Sequence, residues 1–304
     1  MSALLVVVVS AEGRAPAVVG VDEPVVAADD LGLTRGDGCF EGLRLVRGAA
    51  GAPGAVTVPN LEAHLARLQR SARSLDLPDD PAPWARALDA AAQQWAEGHP
   101  EHHEAAVKLS VTRGRPAPAG EAPQPTVLVT VSALDAGSSR ARRDGVSVAS
   151  MTRGYGPEAF AGAPWLLGGV KTLSYAVHTA AQREAARRGA DDALFTAADG
   201  SLLEAPTASV LWVPGPGELR TVAQGDNGIL GSTTQHLLFD RARRAGWRAE
   251  ETDGTLADLR AAQVVLLTSA VRGPVRVVRL DGEPVSQHPA AASLTAELQE
   301  LAGF

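Results

Sequence analysis

Apolar and polar positions along the chain change period several times, and each change marks an element. Leu4 to Val9 is an unbroken apolar run of strand length, and residues 15–19 return after a polar break, which predicts a hairpin. Phe40 to Val46 reads as a strand. Leu61, Leu65, Leu68, Ala72 and Leu75 then recur at helical spacing, with Asn60 as the expected N-cap. Trp84, Leu88, Ala91 and Trp95 carry the same spacing through a second helix, about residues 82–97. Ala106 to Arg113 alternates as a strand, and after a Gly/Pro/Ala-rich loop at 114–125 a further strand runs from Thr126 to Ala133. Residues 134–143, with Gly137, Ser138 and Ser139, read as a linker.

The second half opens with a strand at Val146 to Ser150. Leu173, Ala176, Val177, Ala180 and Ala181 predict an apolar face on a helix that starts just after Lys171 and stops at Gly189. Ala193 to Thr196, the turn at Asp199-Gly200 and Ser201 to Ala205 predict a hairpin. Ser209 to Val213 is a buried strand. A helix opens in Gly228 to Gln235 and reaches about Ala245. Strands at 264–270 and 275–280 and a last helix from about Ala290 complete the chain. Strands alternating with helices give an α/β fold class.

Composition narrows the picture. The 304 residues are 45% hydrophobic, enough for one large domain or two smaller ones. Aromatics are only 4%, so Ala, Val and Leu must fill the core. A net charge of −7 argues against nucleic acid as a partner. Leu4 to Val9 is too short to span a bilayer and lacks a basic flank, so no membrane partner is expected. The single cysteine, Cys39, rules out an intrachain disulfide framework and fits a reducing cytoplasm.

Two side chains suggest chemistry. Lys171, before a helix, and Glu204, on a hairpin, could serve a Schiff-base reaction with pyridoxal 5'-phosphate (PLP), the acid holding the pyridine nitrogen protonated. A surface lysine and a hairpin-end glutamate would look the same. His64 and Arg67 share a helix face. His99, His102 and His103 lie beside Glu101 and Glu104, but their spacing favours a metal site no more than a solvated loop, and none is assigned.

The wider context resembles the class-IV, or fold type IV, PLP enzymes. Their pattern is Lys-x-Leu-Asn/Ser-Tyr, a helix, Gly-x-Asp-x-Ala-Leu, Asp-Gly, then Glu. Lys171, Ser174, Tyr175, Gly189 to Leu194, Asp199, Gly200 and Glu204 fit it; Ser209 stands where the family has Asn. Gly36 to Arg44 is similar to the family's Gly-Asp-Gly-Val-Phe-Glu-Thr/Gly-x-Arg. Arg35 replaces a Tyr, and Gly42 stands where lyases often carry Thr. His64 to Ala72 matches His-Leu-x-Arg-Leu-x-x-Ser-Ala. The turn from Gly228 to Thr234 and the strand end Thr268-Ser269 match phosphate-binding segments, with Thr234 in place of the family's Arg.

The resemblance implies two α/β domains, 1–133 and 134–304, with PLP in the cleft between them, and a homodimer. It implies Lys171 as the PLP lysine and general acid–base, Glu204 at the ring nitrogen and Tyr175 at the ring hydroxyl. Arg67, Ser232, Thr233 and Ser269 would hold the phosphate. Arg35, Phe40 and Arg113 would border a small amino substrate, with Lys108 or Arg113 meeting its carboxylate; the two face oppositely on a regular strand. The activity implied is 4-amino-4-deoxychorismate lyase, releasing pyruvate and leaving 4-aminobenzoate for folate synthesis. This follows from Thr34 to Gly38 and from Pro164 to Leu167. The Phe40-Glu41-Gly42 triplet leans instead toward an aminotransferase acting on branched-chain or D-amino acids with 2-oxoglutarate.

Overall fold

The computed structural model describes residues 4–11, 15–48, 56–121, 124–134, 136–285 and 288–304. The chain divides into two compact units. The first holds Met1–Asp135 and Val170–Tyr175, and the second Ala136–Gly169 and Ala176–Phe304. The lysine segment, expected with the larger domain, therefore packs with the first unit. Among the described residues, no helix is long and apolar enough to cross a membrane.

In the first unit the described strands are β1 (Leu4–Ala11), β2 (Ala17–Val19), β3 (Gly38–Arg47), β4 (Val56–Thr57), β5 (Glu104–Thr112) and β6 (Thr126–Ala133). They form one antiparallel sheet in the order β2-β1-β6-β5-β3-β4. A short helix α1 (Leu31–Arg35) precedes β3, and α2 (Leu61–Ser74) and α3 (Pro81–Gly98) follow β4. The period-2 pattern decides which sheet face is dry. Leu43, Leu45, Val107, Leu109, Val129 and Val131 pack against Leu68, Ala72, Trp84, Leu88 and Trp95 of the two helices. Asn60 does not cap α2: it sits at φ 58° and its side chain makes no capping bond. Asp80 does cap α3, accepting from the Ala82 N–H at 2.9 Å.

In the second unit, α4 (Ala136–Asp144) occupies the stretch read as a linker. Its side chains explain this: Ala141 is buried, and Arg142 donates to the carbonyls of Val271 and Arg272 at 2.6 and 3.0 Å. Strands β7 (Val146–Thr152), β8 (Asp192–Thr196), β9 (Ser209–Val213), β10 (Glu218–Val222), β11 (Arg248–Thr252), β12 (Val264–Ser269), β13 (Gly273–Leu280) and β14 (Glu283–Pro284) make a mixed sheet. Its order is β11-β10-β9-β12-β13-β7-β8, with β14 beside β13. The central strands are covered on both faces, so their apolar runs do not alternate. Leu211, Val213, Val264 and Leu266 face α6 (Thr233–Arg244) and α8 (Ala291–Ala302); Val210, Trp212, Val265 and Leu267 face the opposite core. Helices α5 (Ala176–Arg187) and α7 (Leu256–Ala261) complete the unit. Helix α5 buries Ala181 and Ala185, whereas Val177, placed on its apolar face by periodicity, is 57% exposed. Gly189, at φ 76°, ends the turn beyond α5.

Candidate active site

In the first unit the Lys171 segment continues the sheet. Among the described residues, strand β4 pairs with β3 only at Val46 and Arg47, which leaves the start of β3 for another partner. Lys171 to Leu173 takes that place. Phe40 N–H donates to the Lys171 carbonyl at 3.0 Å, Leu173 N–H donates to the Gly38 carbonyl at 2.9 Å, and Cys39 pairs with Thr172. Gly38 is required here, because a Cβ would lie 2.5 Å from the Val111 carbonyl oxygen and 2.7 Å from Leu173. Lys171 is thus an extended residue five positions before α5, not a helix-start residue.

Directly opposed residues of antiparallel strands point to one side of the sheet. Lys171 opposes Phe40, Phe40 opposes Ser110 and Gly42 opposes Lys108. All of them therefore share the face away from the helical core. The amine of Lys171 sits 4.6 Å from the centre of the Phe40 ring and 5.7 Å from that of Tyr175. The two rings meet edge to face at 5.1 Å. The Lys108 amine lies 4.7 Å from the same Phe40 centroid. Lys108 keeps an exposed surface overall, yet protein atoms crowd its amine, and that burial lowers its pKa. The Lys171 N–H donates to Ser71 Oγ at 3.2 Å, and Ser71 lies one turn beyond Arg67 on α2.

Arg67 and His64 converge on Glu41, which the sequence showed only as part of a family triplet and not as their partner. Glu41 is fully buried; Arg67 donates to both its oxygens at 2.7 Å, and His64 Nδ1 lies 2.9 Å from Oε2. Burial alone would raise the Glu41 pKa. The hydrogen bonds and charge of Arg67, then those of His64, outweigh it and bring the value to about 2. The signal was available: Glu41 sits between Phe40 and Gly42 in a strand, and a carboxylate buried there needs a paired cation.

Arg113 does not reach the Lys171 face. Its guanidinium donates to Asp37 at 2.6 and 3.2 Å and to the carbonyls of Leu75 and Asp76, so every nitrogen is committed to protein. Of the two candidate cations on β5 and its end, Lys108 is the one beside Lys171. Arg35 ends α1 and is exposed. The Ser174 hydroxyl donates to the Gly36 carbonyl at 3.4 Å, which ties the lysine segment to that same loop.

In the second unit, Leu203 N–H donates to the Phe195 carbonyl and Phe195 N–H to that of Glu204, each at 2.9 Å, so the returning chain is held against β8. Glu204 Oε1 accepts the Leu230 N–H at 3.1 Å. Tyr155 lies close enough for the Glu204 charge to add to burial in raising its phenol pKa, against the pull of Arg153. Ser232 caps α6, its hydroxyl accepting the Gln235 N–H at 3.2 Å, and Thr233 is buried at the first position. A capped helix start with two hydroxyls is a cradle for a phosphate. Ser269 Oγ accepts the Arg272 N–H at 3.3 Å. Its neighbour Thr268 keeps a buried hydroxyl with no partner among the described residues. The first unit thus offers a lysine amine on aromatic faces, and the second a carboxylate held by a backbone N–H and hydroxyls at a helix start, groups of the types that PLP uses.

Two sheets of this kind, with a matching family, mark a fold type IV PLP enzyme, acting as lyase or aminotransferase. Residues 38–280 match the family described as amino-transferase class IV, and the chain belongs to that family. It is 38% identical over 294 residues to a bifunctional aminodeoxychorismate lyase / D-amino acid transaminase of Mycobacterium tuberculosis, covering 92% of this chain and 93% of that one. Among solved structures it is similar to a hypothetical aminotransferase of the same organism in its PLP-bound form. The TM-score there is 0.84 at 37% identity, over 97% of this chain and 98% of the other. It also resembles the 4-amino-4-deoxychorismate lyase of Pseudomonas aeruginosa, with a TM-score of 0.73 at 26% identity over 96% and 97% of the two chains.

Proposed function

We propose that this protein is a 4-amino-4-deoxychorismate lyase. The reaction breaks the bond between a ring carbon and the enolpyruvyl oxygen, releases pyruvate and leaves 4-aminobenzoate. No water or oxidant enters, because the substrate's atoms equal those of the two products. The observation that carries this reading is the second amine, Lys108, beside Lys171 on the Phe40 ring. A substrate with a carboxylate at each end suits one amine at the reacting carbon and another at a distance from it.

Bound PLP supplies an electron sink for the substrate carbon that carries the amine. Lys171 would hold the cofactor and then, through Nζ, move the proton at that carbon. Phe40 and Tyr175 keep water from the amine. Glu204 would hold a proton on the ring nitrogen, with the Leu230 N–H fixing its carboxylate. Tyr175 would hydrogen-bond the ring hydroxyl. Arg67, Ser232, Thr233 and Ser269 would bind the phosphate; Lys108 would replace Arg113 at the substrate carboxylate, and Arg35 would border the substrate.

A second reading is transamination of D-amino acids, supported by the second activity of the Mycobacterium tuberculosis relative. One paired assay tests both. The lyase reading expects fluorescent 4-aminobenzoate from 4-amino-4-deoxychorismate. Rapid turnover of a D- or branched-chain amino acid with 2-oxoglutarate, with no 4-aminobenzoate, would replace it. A homodimer belongs to the same proposal: Trp165 and Leu166 of the second unit are 74% and 49% exposed, apolar area that a second copy would cover. Sedimentation of the holoenzyme measures it.

A further inference from the structure

The loop between α3 and β5 gathers donors that the PLP chemistry does not use. His99 Nδ1 lies 3.6 Å from Glu101 Oε1, and His102 Nε2 lies 3.2 Å from the same oxygen. One ligand atom from each of these three residues falls within 4.8 Å of the others. In a tetrahedral zinc site with bonds of about 2.0–2.1 Å, neighbouring donors sit roughly 3.3 Å apart. Both donor spacings to Glu101 are close to that value, so only a small movement of the imidazoles would complete the set.

The loop backbone is fixed from beneath. His102 N–H donates to the His99 carbonyl at 3.2 Å, which closes a turn. Arg47, from the end of β3, donates to the carbonyls of His102, Ala96 and His99 at 3.3, 3.3 and 3.1 Å, and its guanidinium stacks on Trp95 at 4.9 Å. Its charge is spent on the carbonyl side of the loop.

We propose that His99, Glu101 and His102 form a site for one zinc-class divalent ion, distinct from the PLP residues. Two imidazoles and a carboxylate select zinc over the oxygen-seeking calcium and magnesium. The site lies at the Val46–Glu104 end of the β3–β5 ladder, six residue pairs from Phe40 and Ser110. That is roughly 20 Å along the strand. The ion therefore clamps the α3–β5 connection and takes no part in turnover.

The test uses untagged holoenzyme, stripped of metal with a chelator and titrated with zinc chloride by calorimetry. Saturable binding of about one zinc per chain is expected. His99→Ala/His102→Ala should weaken it at least about a hundredfold, and Glu101→Gln roughly tenfold. His103→Ala should bind as the wild type does. PLP absorbance and circular dichroism verify that each variant is folded. Should the double variant not fold, cobalt titration of the wild type and of Glu101→Gln takes its place. Visible bands of low-symmetry cobalt that weaken in the variant support the site. Absence of saturable binding in the wild type, equal binding by a folded ligand variant, or loss of binding in His103→Ala overturns it.

Discussion

Arg67 and Glu41 form a two-point ion pair, with Nε and Nη2 each 2.7 Å from a carboxylate oxygen, inside a unit that leaves Glu41 no solvent contact. Two of the three guanidinium nitrogens are thus fixed by a strand residue. The geometry is that of an arginine held in one orientation, the preorganisation that the phosphate role proposed for Arg67 would use.

Glu41→Gln should therefore act on both stability and cofactor retention. Removing the carboxylate leaves Arg67 buried without its counter-charge, a loss of about 3–5 kcal/mol. Chemical denaturation measures it, and dialysis against PLP-free buffer should show faster loss of absorbance than in the wild type. The pH dependence follows from the lowered pKa. Glu41 stabilises the fold fully above its unfolded value of 4.5, and that contribution disappears as pH falls toward about 2. Wild-type stability should fall across that window, and the variant should lack this component.

Arg113→Lys separates a fold-holding role from a substrate role. The guanidinium spans Asp37 and the end of α2, a fork that a lysine cannot reproduce. A loss of about 1–3 kcal/mol in stability is expected, with KM changed little. A large rise in KM at unchanged melting temperature would return Arg113 to the substrate.

Lys108→Met tests the opposite assignment. It should raise KM for the dicarboxylate substrate about tenfold or more while leaving the PLP absorbance intact. Burial lowers the Lys108 pKa, so the amine loses its charge at a lower pH than an ordinary lysine. Wild-type KM should then rise on the alkaline side earlier than an unperturbed lysine would allow, and the Met variant should show no such rise.

Much of this was legible in the chain. Leu61 to Leu75 and Trp84 to Trp95 show their helices because each buries a single stripe. The Lys171 to Glu204 stretch carries enough spaced residues to point to its family. Other features were hidden by physical causes. Asn60 has the chemistry of a cap but sits in the left-handed region, where its side chain makes no capping bond. Residues 136–144 look like a linker because α4 is held by one alanine and by arginine bonds to distant carbonyls, neither of which has a period. Glu41 shows as a carboxylate inside a strand, but which cations pair with it was hidden, since its partners lie 23 and 26 residues away. Lys108 and Arg113 could be separated only once Asp37 was seen to occupy the arginine.

Gly228→Ala tests whether packing in the second unit sets the position of Glu204. Gly228 has φ 75°, and a Cβ there would lie 2.4 Å from the Phe160 ring. Phe160 is held in place: Gly168 lies against its other edge, where a Cβ would come within 2.7 Å of the ring, and the Phe160 N–H donates to the Asp226 carbonyl at 2.9 Å. The left-handed backbone alone costs an alanine about 1–2 kcal/mol. The ring clash adds about 1–3 kcal/mol. Two residues on, the Leu230 N–H is the donor that fixes Glu204, so the strain should also loosen the carboxylate and lower kcat. Phe160→Ala in the Gly228→Ala background removes the clash and leaves the backbone term. A double-mutant cycle should show a favourable coupling between the two substitutions, with part of kcat restored. Simple additivity in both stability and kcat would mean that Phe160 does not hold this turn.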